Sequence, residues 1–181
     1  EQDEKIKLVA EEGTQNILNA ISNECKLIFP STHVVYEGIS EVRKDIKEDE
    51  ATQPVLSYSS SKAANEKQLR DSGKNYVILR LGSVYGYSND TMRIDIMPNL
   101  FSKIASQNGT LKLFAAGRQI KSMVPLVDVA RCFKFIEESD HIKSELFNIT
   151  KDTLTVKEVA QICKKHNPKI QLRETNDEIP N

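Results

Sequence analysis

The feature that most constrains this chain is a recurrence of short, almost unbroken apolar runs separated by stretches of helical periodicity. Lys26-Leu27-Ile28-Phe29, Tyr76-Val77-Ile78-Leu79-Arg80-Leu81 and Leu146-Phe147-Asn148-Ile149 are, apart from Lys26, Arg80 and Asn148, apolar or β-branched at consecutive positions rather than alternate ones. A strand of that kind is buried on both faces, which is the mark of a parallel sheet covered by helices. Between these runs the apolar residues change period. Ile6, Val9, Ala10, Ile17, Leu18 and Ile21 are spaced three, four and seven apart, as on one face of a helix. Segment 58–71 is rich in helix formers and stops at Ser72-Gly73, a helix-ending signal. Further helices are expected over 96–107 and 127–138, and a further strand over 111–114. Thr155-Val156-Lys157-Glu158 reads as a capping box opening a helix that runs to His166 and stops before Asn167-Pro168. Pro30 is expected to end the first strand, and the charged stretch 37–54 to form a solvated loop. The alternation predicts an α/β fold with a parallel sheet and crossover helices. In such sheets ligands gather at the carboxyl ends of the strands, here Ser31-Thr32 and Gly82-Ser83.

A chain of 181 residues suffices for one sizeable core or a large part of two small domains. Lys+Arg 25 against Asp+Glu 26 gives a net charge of -1, with no basic stripe of the kind that nucleic acid requires. No run reaches the roughly 20 apolar residues of a membrane span, and no secretory leader pattern opens the sequence. Cys25, Cys132 and Cys163 lie far apart without a CxxC, so they are expected to be buried thiols in a reducing cytoplasm. His33, His141 and His166 lack metal-ligand spacing, so no metal site is expected.

Tyr58 and Lys62 are four apart on a helix and share one face. An ammonium held near a phenol stabilises the phenolate, which is what a tyrosine needs to serve as a general base. With Thr32 the pair could hold an alcohol by its hydroxyl. A surface tyrosine beside a solvated lysine is the alternative reading of the same spacing.

Four stretches carry a family resemblance by their order and spacing. They are Ser31-Thr32-His33-Val34-Val35-Tyr36, Tyr58-Ser59-Ser60-Ser61-Lys62-Ala63-Ala64, Leu79-Arg80 onward to Gly86, and Val127-Asp128-Val129-Ala130. In these the chain resembles the extended short-chain dehydrogenase/reductases, the NAD-dependent epimerase/dehydratase group acting on nucleotide sugars. The resemblance implies a partial Rossmann-like, doubly wound parallel sheet with the start of a smaller C-terminal substrate-binding region. It implies Tyr58 as catalytic base, Lys62 as the residue that stabilises the phenolate and binds the nicotinamide ribose, and Thr32 as the partner of the substrate hydroxyl. Leu81 falls on the cofactor side. Ser83 falls where many members place an Asn beside the substrate, Phe114 at an apolar position near the nucleotide base, and Lys121 where an Arg grips the diphosphate. Lysine is a point charge rather than a bidentate fork, which weakens that grip. A core strand residue for Phe114 and a solvated lysine for Lys121 remain the plainer readings. Asp128 reads as a helix-start residue.

Two departures shape the functional expectation. The 4,6-dehydratases of the group follow the Thr with Asp-Glu, whereas here His33 and Val34 follow, which disfavours dehydration. His33 reads as either a substrate contact or a plain loop histidine. Glycines occur at 13, 38, 73, 82, 86, 109 and 117, with no pair spaced as in a dinucleotide phosphate loop. The resemblance therefore aligns the chain with the second part of such a protein. Residues 1–90 correspond to the end of an NAD(P)-binding domain and 91–181 mostly to a substrate region, with 120–150 returning to the sheet. The resulting expectation is a cytoplasmic nucleotide-sugar epimerase using NAD or NADP. A ketoreductase of the same family and a non-catalytic nucleotide-binding module are the alternatives. Pairing into a homodimer through 5–21 and 58–70 is implied by the resemblance alone.

Overall fold

The computed structural model describes residues 2–90 and 92–177. In chain order the elements are α1 (Gln2–Ala20), β1 (Lys26–Thr32), α2 (Ser57–Asp71), β2 (Asn75–Leu81), β3 (Ser83–Tyr85), α3 (Met97–Ser106), β4 (Thr110–Leu113), β5 (Ile120–Pro125), α4 (Leu126–Glu137), β6 (Glu145–Ile149), β7 (Asp152–Thr155), α5 (Val156–His166) and β8 (Gln171–Glu174). Short 3-10 turns occupy His33–Tyr36 and Phe114–Gly117. The chain divides into two compact units, residues 1–81 with 130–149, and residues 82–129 with 150–181. Among the described residues no helix is long and apolar enough to cross a membrane.

The first unit is built on a parallel sheet of order β1-β2-β6. Thr32 pairs with Leu81 at the carboxyl ends of β1 and β2, and Leu81 pairs in turn with Ile149 of β6. Central strand β2 is buried at Val77, Ile78, Leu79 and Arg80 in succession, so both of its faces are covered. Val77 and Leu79 pack with Ile28, Phe133, Ile136 and Phe147. Fully buried side chains such as Val77, Leu79 and Ile136 each contribute about 1.5 to 3 kcal/mol relative to exposure. On the opposite face Arg80 meets Glu66 of α2. The Lys26 ammonium donates to the Ile136 and Ser139 carbonyls at 2.8 and 2.6 Å, closing the end of α4 with a cation where the helix dipole favours one.

In the second unit β3-β5-β7 form one sheet and β4-β8 another. Phe101, Leu111, Leu113, Met123 and Ile170 form its core. The capping box forms as the sequence predicts: Thr155 caps α5 and the Glu158 carboxylate returns to the Thr155 N–H at 2.7 Å.

Several expectations are revised. β1 runs on through Pro30 to Thr32. Pro30 stays in register with Leu79 of β2, and its carbonyl accepts the Lys62 ammonium at 2.9 Å. Cys25 is exposed in the turn after α1, and Cys132 and Cys163 are only partly buried. Burial still pushes the latter two thiols above their ordinary pKa. The sheet of the second unit is not wholly parallel, since β5 and β7 run antiparallel. Phe114 does not continue a strand. It opens a turn in which Ala115 (φ 45°), Ala116 (φ 53°) and Gly117 (φ 68°) are all left-handed. The turn is held by the Ala115 and Ala116 N–H groups, which donate to the Asp177 and Thr175 carbonyls at 2.9 Å each.

A left-handed alanine carries a steric cost that glycine escapes, about 1 to 2 kcal/mol before unfolded-state entropy offsets part of it. Ala116→Gly is therefore expected to stabilise the protein by about 0.5 to 1 kcal/mol, read from the urea midpoint at unchanged slope.

Candidate active site

The lead into helix α2 is held by a carboxylate far back in the sequence. Leu56 precedes the helix and offers no capping oxygen. Glu37 instead braces the chain that leads into the helix: its Oε1 accepts the Val55 and Leu56 N–H groups at 2.8 and 2.7 Å and the Ser59 hydroxyl. Partial burial pushes the Glu37 carboxyl up, but these three donors outweigh it and hold the pKa below the usual value. Anchored this way, the first turn of α2 presents Tyr58, which is half exposed at 52%.

Lys62 lies one turn further along. Its Nζ donates to the Pro30 carbonyl at 2.9 Å, stands 4.6 Å from the centre of the Phe29 ring and 6.0 Å from that of Tyr58. Burial lowers the Lys62 pKa below the ordinary lysine value. The ammonium thus sits between the tyrosine ring and the carboxyl end of β1, fixed by a carbonyl and facing two aromatic π systems. Tyr58, Lys62, Phe29 and Ser61, with Val9 and Gly13 of α1, line a mostly apolar cavity of about 310 Å³.

Thr32 follows two residues after Pro30. It is buried, ends β1 and caps the 3-10 turn, its Oγ1 accepting the Val34 N–H at 3.3 Å. His33 begins that turn with its Nδ1 3.0 Å from the Leu81 carbonyl at the end of β2. Thr32, Tyr58, Lys62 and Leu81 thus all belong to the first unit: Thr32 pairs with Leu81 at the strand ends, and Lys62 links the Tyr58 ring to the Pro30 carbonyl. The other three predicted site residues belong to the second unit. Ser83 opens β3, paired with Met123. Phe114 is half-buried with the Lys112 ammonium 5.6 Å from its ring centre. Lys121 is half-buried on β5 opposite Leu154. Asp128 lies in the first turn of α4, as its sequence position implies, and accepts from Lys151 at 3.0 Å.

Sequence reasoning passed over the residues that hold this arrangement in place. Glu66 is fully buried, one turn beyond Lys62, and pairs with Arg80, which is 3% exposed. The signal was present in the sequence: Arg80 is a lone charge within an otherwise apolar strand, and a buried guanidinium requires a counter-charge. The Glu37 brace has no such local signature.

The model of the RmlD substrate binding domain matches residues 1–169. The chain belongs to this family. Its fold is that of Rossmann-like relatives. It superimposes on the UDP-glucose 4-epimerase of Thermotoga maritima with a TM-score of 0.80 at 21% identity, covering 95% of this chain and 58% of that one. For the UDP-glucuronic acid 4-epimerase of Bacillus cereus, solved with UDP-glucuronic acid and NAD, the values are 0.79, 23%, 96% and 56%. For the UDP-N-acetylglucosamine 4-epimerase of Methanobrevibacter ruminantium they are 0.80, 20%, 96% and 57%. At these identities the likeness establishes the fold, and the chain spans little more than half the length of each solved protein. A comparison of the sequence with curated proteins finds no match. The expected partial Rossmann-like α/β architecture holds for this member of the RmlD substrate-binding family, which shares its fold with these solved epimerases.

The Glu37 brace gives a pH-dependent prediction. A carboxylate whose folded pKa is depressed contributes stability above its unfolded pKa, about 4.3, and loses it as pH falls through the folded value. Glu37→Gln is expected to be less stable than the parent by about 0.5 to 1 kcal/mol at pH 7, with the gap closing below pH about 4. Urea unfolding at a series of pH values reads this directly.

Proposed function

We propose that this chain carries the acid–base part of an NAD(P)-dependent nucleotide-sugar epimerase. The observation that carries the reading is the Lys62 ammonium, half-buried, tied to the end of β1 and turned toward the ring of Tyr58 beside a cavity. The residues present suit the nicotinamide-ribose end of a dinucleotide, since Tyr58 and Lys62 would hold ribose hydroxyls while Phe29 and Ser61 wall the space. None of the seven glycines has the spacing of a phosphate cradle, so this chain assigns no residue to the pyrophosphate. The cofactor, when bound, supplies the acceptor and later the donor of a hydride.

On this reading Tyr58, as phenolate, takes the proton from a sugar hydroxyl as that carbon is oxidised, and returns it when the keto sugar is reduced on its other face. Lys62 stabilises the phenolate by its positive charge, and its tether to Pro30 keeps the charge from swinging into water. Thr32 hydrogen-bonds the same substrate oxygen. Residues 1–90 would serve the cofactor and most of 91–181 the substrate, with Ser83, Phe114 and Lys121 as contacts for the sugar and its nucleotide. The relatives solved with UDP sugars make those the first substrates to test. A homodimer through 5–21 and 58–70 belongs to the same proposal, supported by the exposed Leu8 of α1, which lies outside the cavity lining.

The decisive experiment follows interconversion of UDP-sugar epimers with NAD present. Tyr58→Phe is expected to lower kcat by roughly 10²- to 10⁴-fold. Full activity in that variant overturns the assignment. Net consumption of reduced cofactor selects a ketoreductase instead, and cofactor binding without hydride transfer selects a binding module.

A further inference from the structure

Tyr58, Lys62 and Glu66 recur every fourth residue along α2 and so occupy one face of the helix. The acid–base reading uses the first two and leaves the third without a role, although Glu66 is a fully buried carboxylate. Its two oxygens are shared in a specific way. Oε1 accepts the Ser31 hydroxyl at 2.6 Å and the Arg80 Nε at 2.9 Å, while Oε2 accepts the Arg80 Nη2 at 2.6 Å and lies 3.5 Å from the Arg70 Nη1. The fork of Arg80 thus grips the carboxylate bidentately, which fixes its plane as well as its position. Nη1 of Arg80 continues outward to the Tyr36 hydroxyl and, at 3.2 Å, to the Glu48 carbonyl.

Ser31 is the residue immediately before Thr32, and it is 4% exposed. Its hydroxyl bonds the end of β1 to the face of α2 below Lys62. A second bond between the same two elements, from Lys62 to the Pro30 carbonyl, lies one residue earlier in the strand. Two successive residues of β1 are therefore fastened to two successive turns of α2, and the next residue along the strand is Thr32. Together these bonds set the height and rotation of the strand end relative to the helix.

We propose that Glu66, oriented by Arg80 and acting through Ser31, is a positioning residue that fixes the Thr32 hydroxyl relative to Tyr58. The inference rests on the acid–base reading given above. Glu66 touches neither substrate nor cofactor in it, and its effect passes through the strand backbone.

Glu66→Gln leaves a buried guanidinium without its counter-charge and tests folding as much as function. Ser31→Ala is the informative variant, because it removes a single hydrogen bond and keeps the ion pair. Steady-state kinetics with NAD and a UDP sugar is expected to show kcat reduced roughly 10- to 100-fold with KM within about twofold of the parent, the split expected of misplacement in the reacting complex. Ser31→Cys, close in size and with a weaker donor, is expected to fall between the two. Parental kcat in Ser31→Ala, a loss confined to KM, or equal losses in the Ala and Cys variants overturns the proposal. An unsubstituted protein without hydride transfer removes the acid–base reading and this inference together. Turnover abolished by Tyr58→Phe but intact in Ser31→Ala removes this inference alone.

Discussion

A guanidinium enclosed within a strand sets the terms for the first unit. Arg80 lies between Leu79 and Leu81 in the middle of a sheet, where an unpaired charge would cost several kcal/mol. Glu66 supplies the opposite charge, and because the match is bidentate it does so in one orientation. Replacing such a pair with well-packed apolar groups is often neutral or stabilising, so its presence says little about net stability. What it does impose is registry. α2 can neither rotate nor slide along the sheet without separating the carboxylate from the fork, and Tyr58, Lys62 and Ser31 are placed by the same constraint.

The hydrogen bonds radiating from Arg80 extend that registry into the irregular part of the chain. Tyr36 lies with its ring 5.0 Å from the guanidinium carbon, and its hydroxyl is also 3.4 Å from Asn148 Oδ1. Asn148 in turn donates its backbone N–H to Glu48 at 2.8 Å and its side-chain amide to the Ile46 carbonyl at 3.0 Å. The charged stretch after β1 is a solvated loop, as its composition implies, yet its far portion is fastened to two strands by groups that read in sequence as ordinary surface residues.

What was legible in the sequence follows from where each signal originates. β1, β2 and β6 declared themselves by runs of consecutive apolar residues, although only β2 has them fully buried on both faces, and α5 because a capping box is local by construction. β3, β5, β7 and β8 did not. β3, β7 and β8 are only three or four residues long, and in β5 Ile120, Lys121 and Ser122 read as surface text because only the later residues Met123 and Val124 enter the core. Pro30 was misleading because it read as a strand end, whereas β1 keeps its pairing with β2 through it to Thr32. Within the site, Tyr58 and Lys62 were legible from one helical turn, and Thr32 from its place after a strand. Glu37 was not, because a helix start is ordinarily satisfied by its immediate neighbours, and nothing in residues 53–57 signals a carboxylate arriving from 37.

The base of the loop between the 3-10 turn and α2 is closed tightly. Gly38 donates to the Gln53 carbonyl at 2.8 Å, Gln53 donates to Val35 at 2.8 Å, and a Cβ on Gly38 would come within 2.6 Å of the Gln53 oxygen. Residues 40–45 lie beyond this closure and ahead of the fastened part at 46–48, and all of them are exposed. Once the neck of a loop is sealed, doubling its length costs only about 0.6 kcal/mol in closure entropy. Evolution or an engineer can therefore lengthen, shorten or recode this tip almost freely, and can graft onto it a recognition sequence or a label, while the helix bearing Tyr58 keeps its footing.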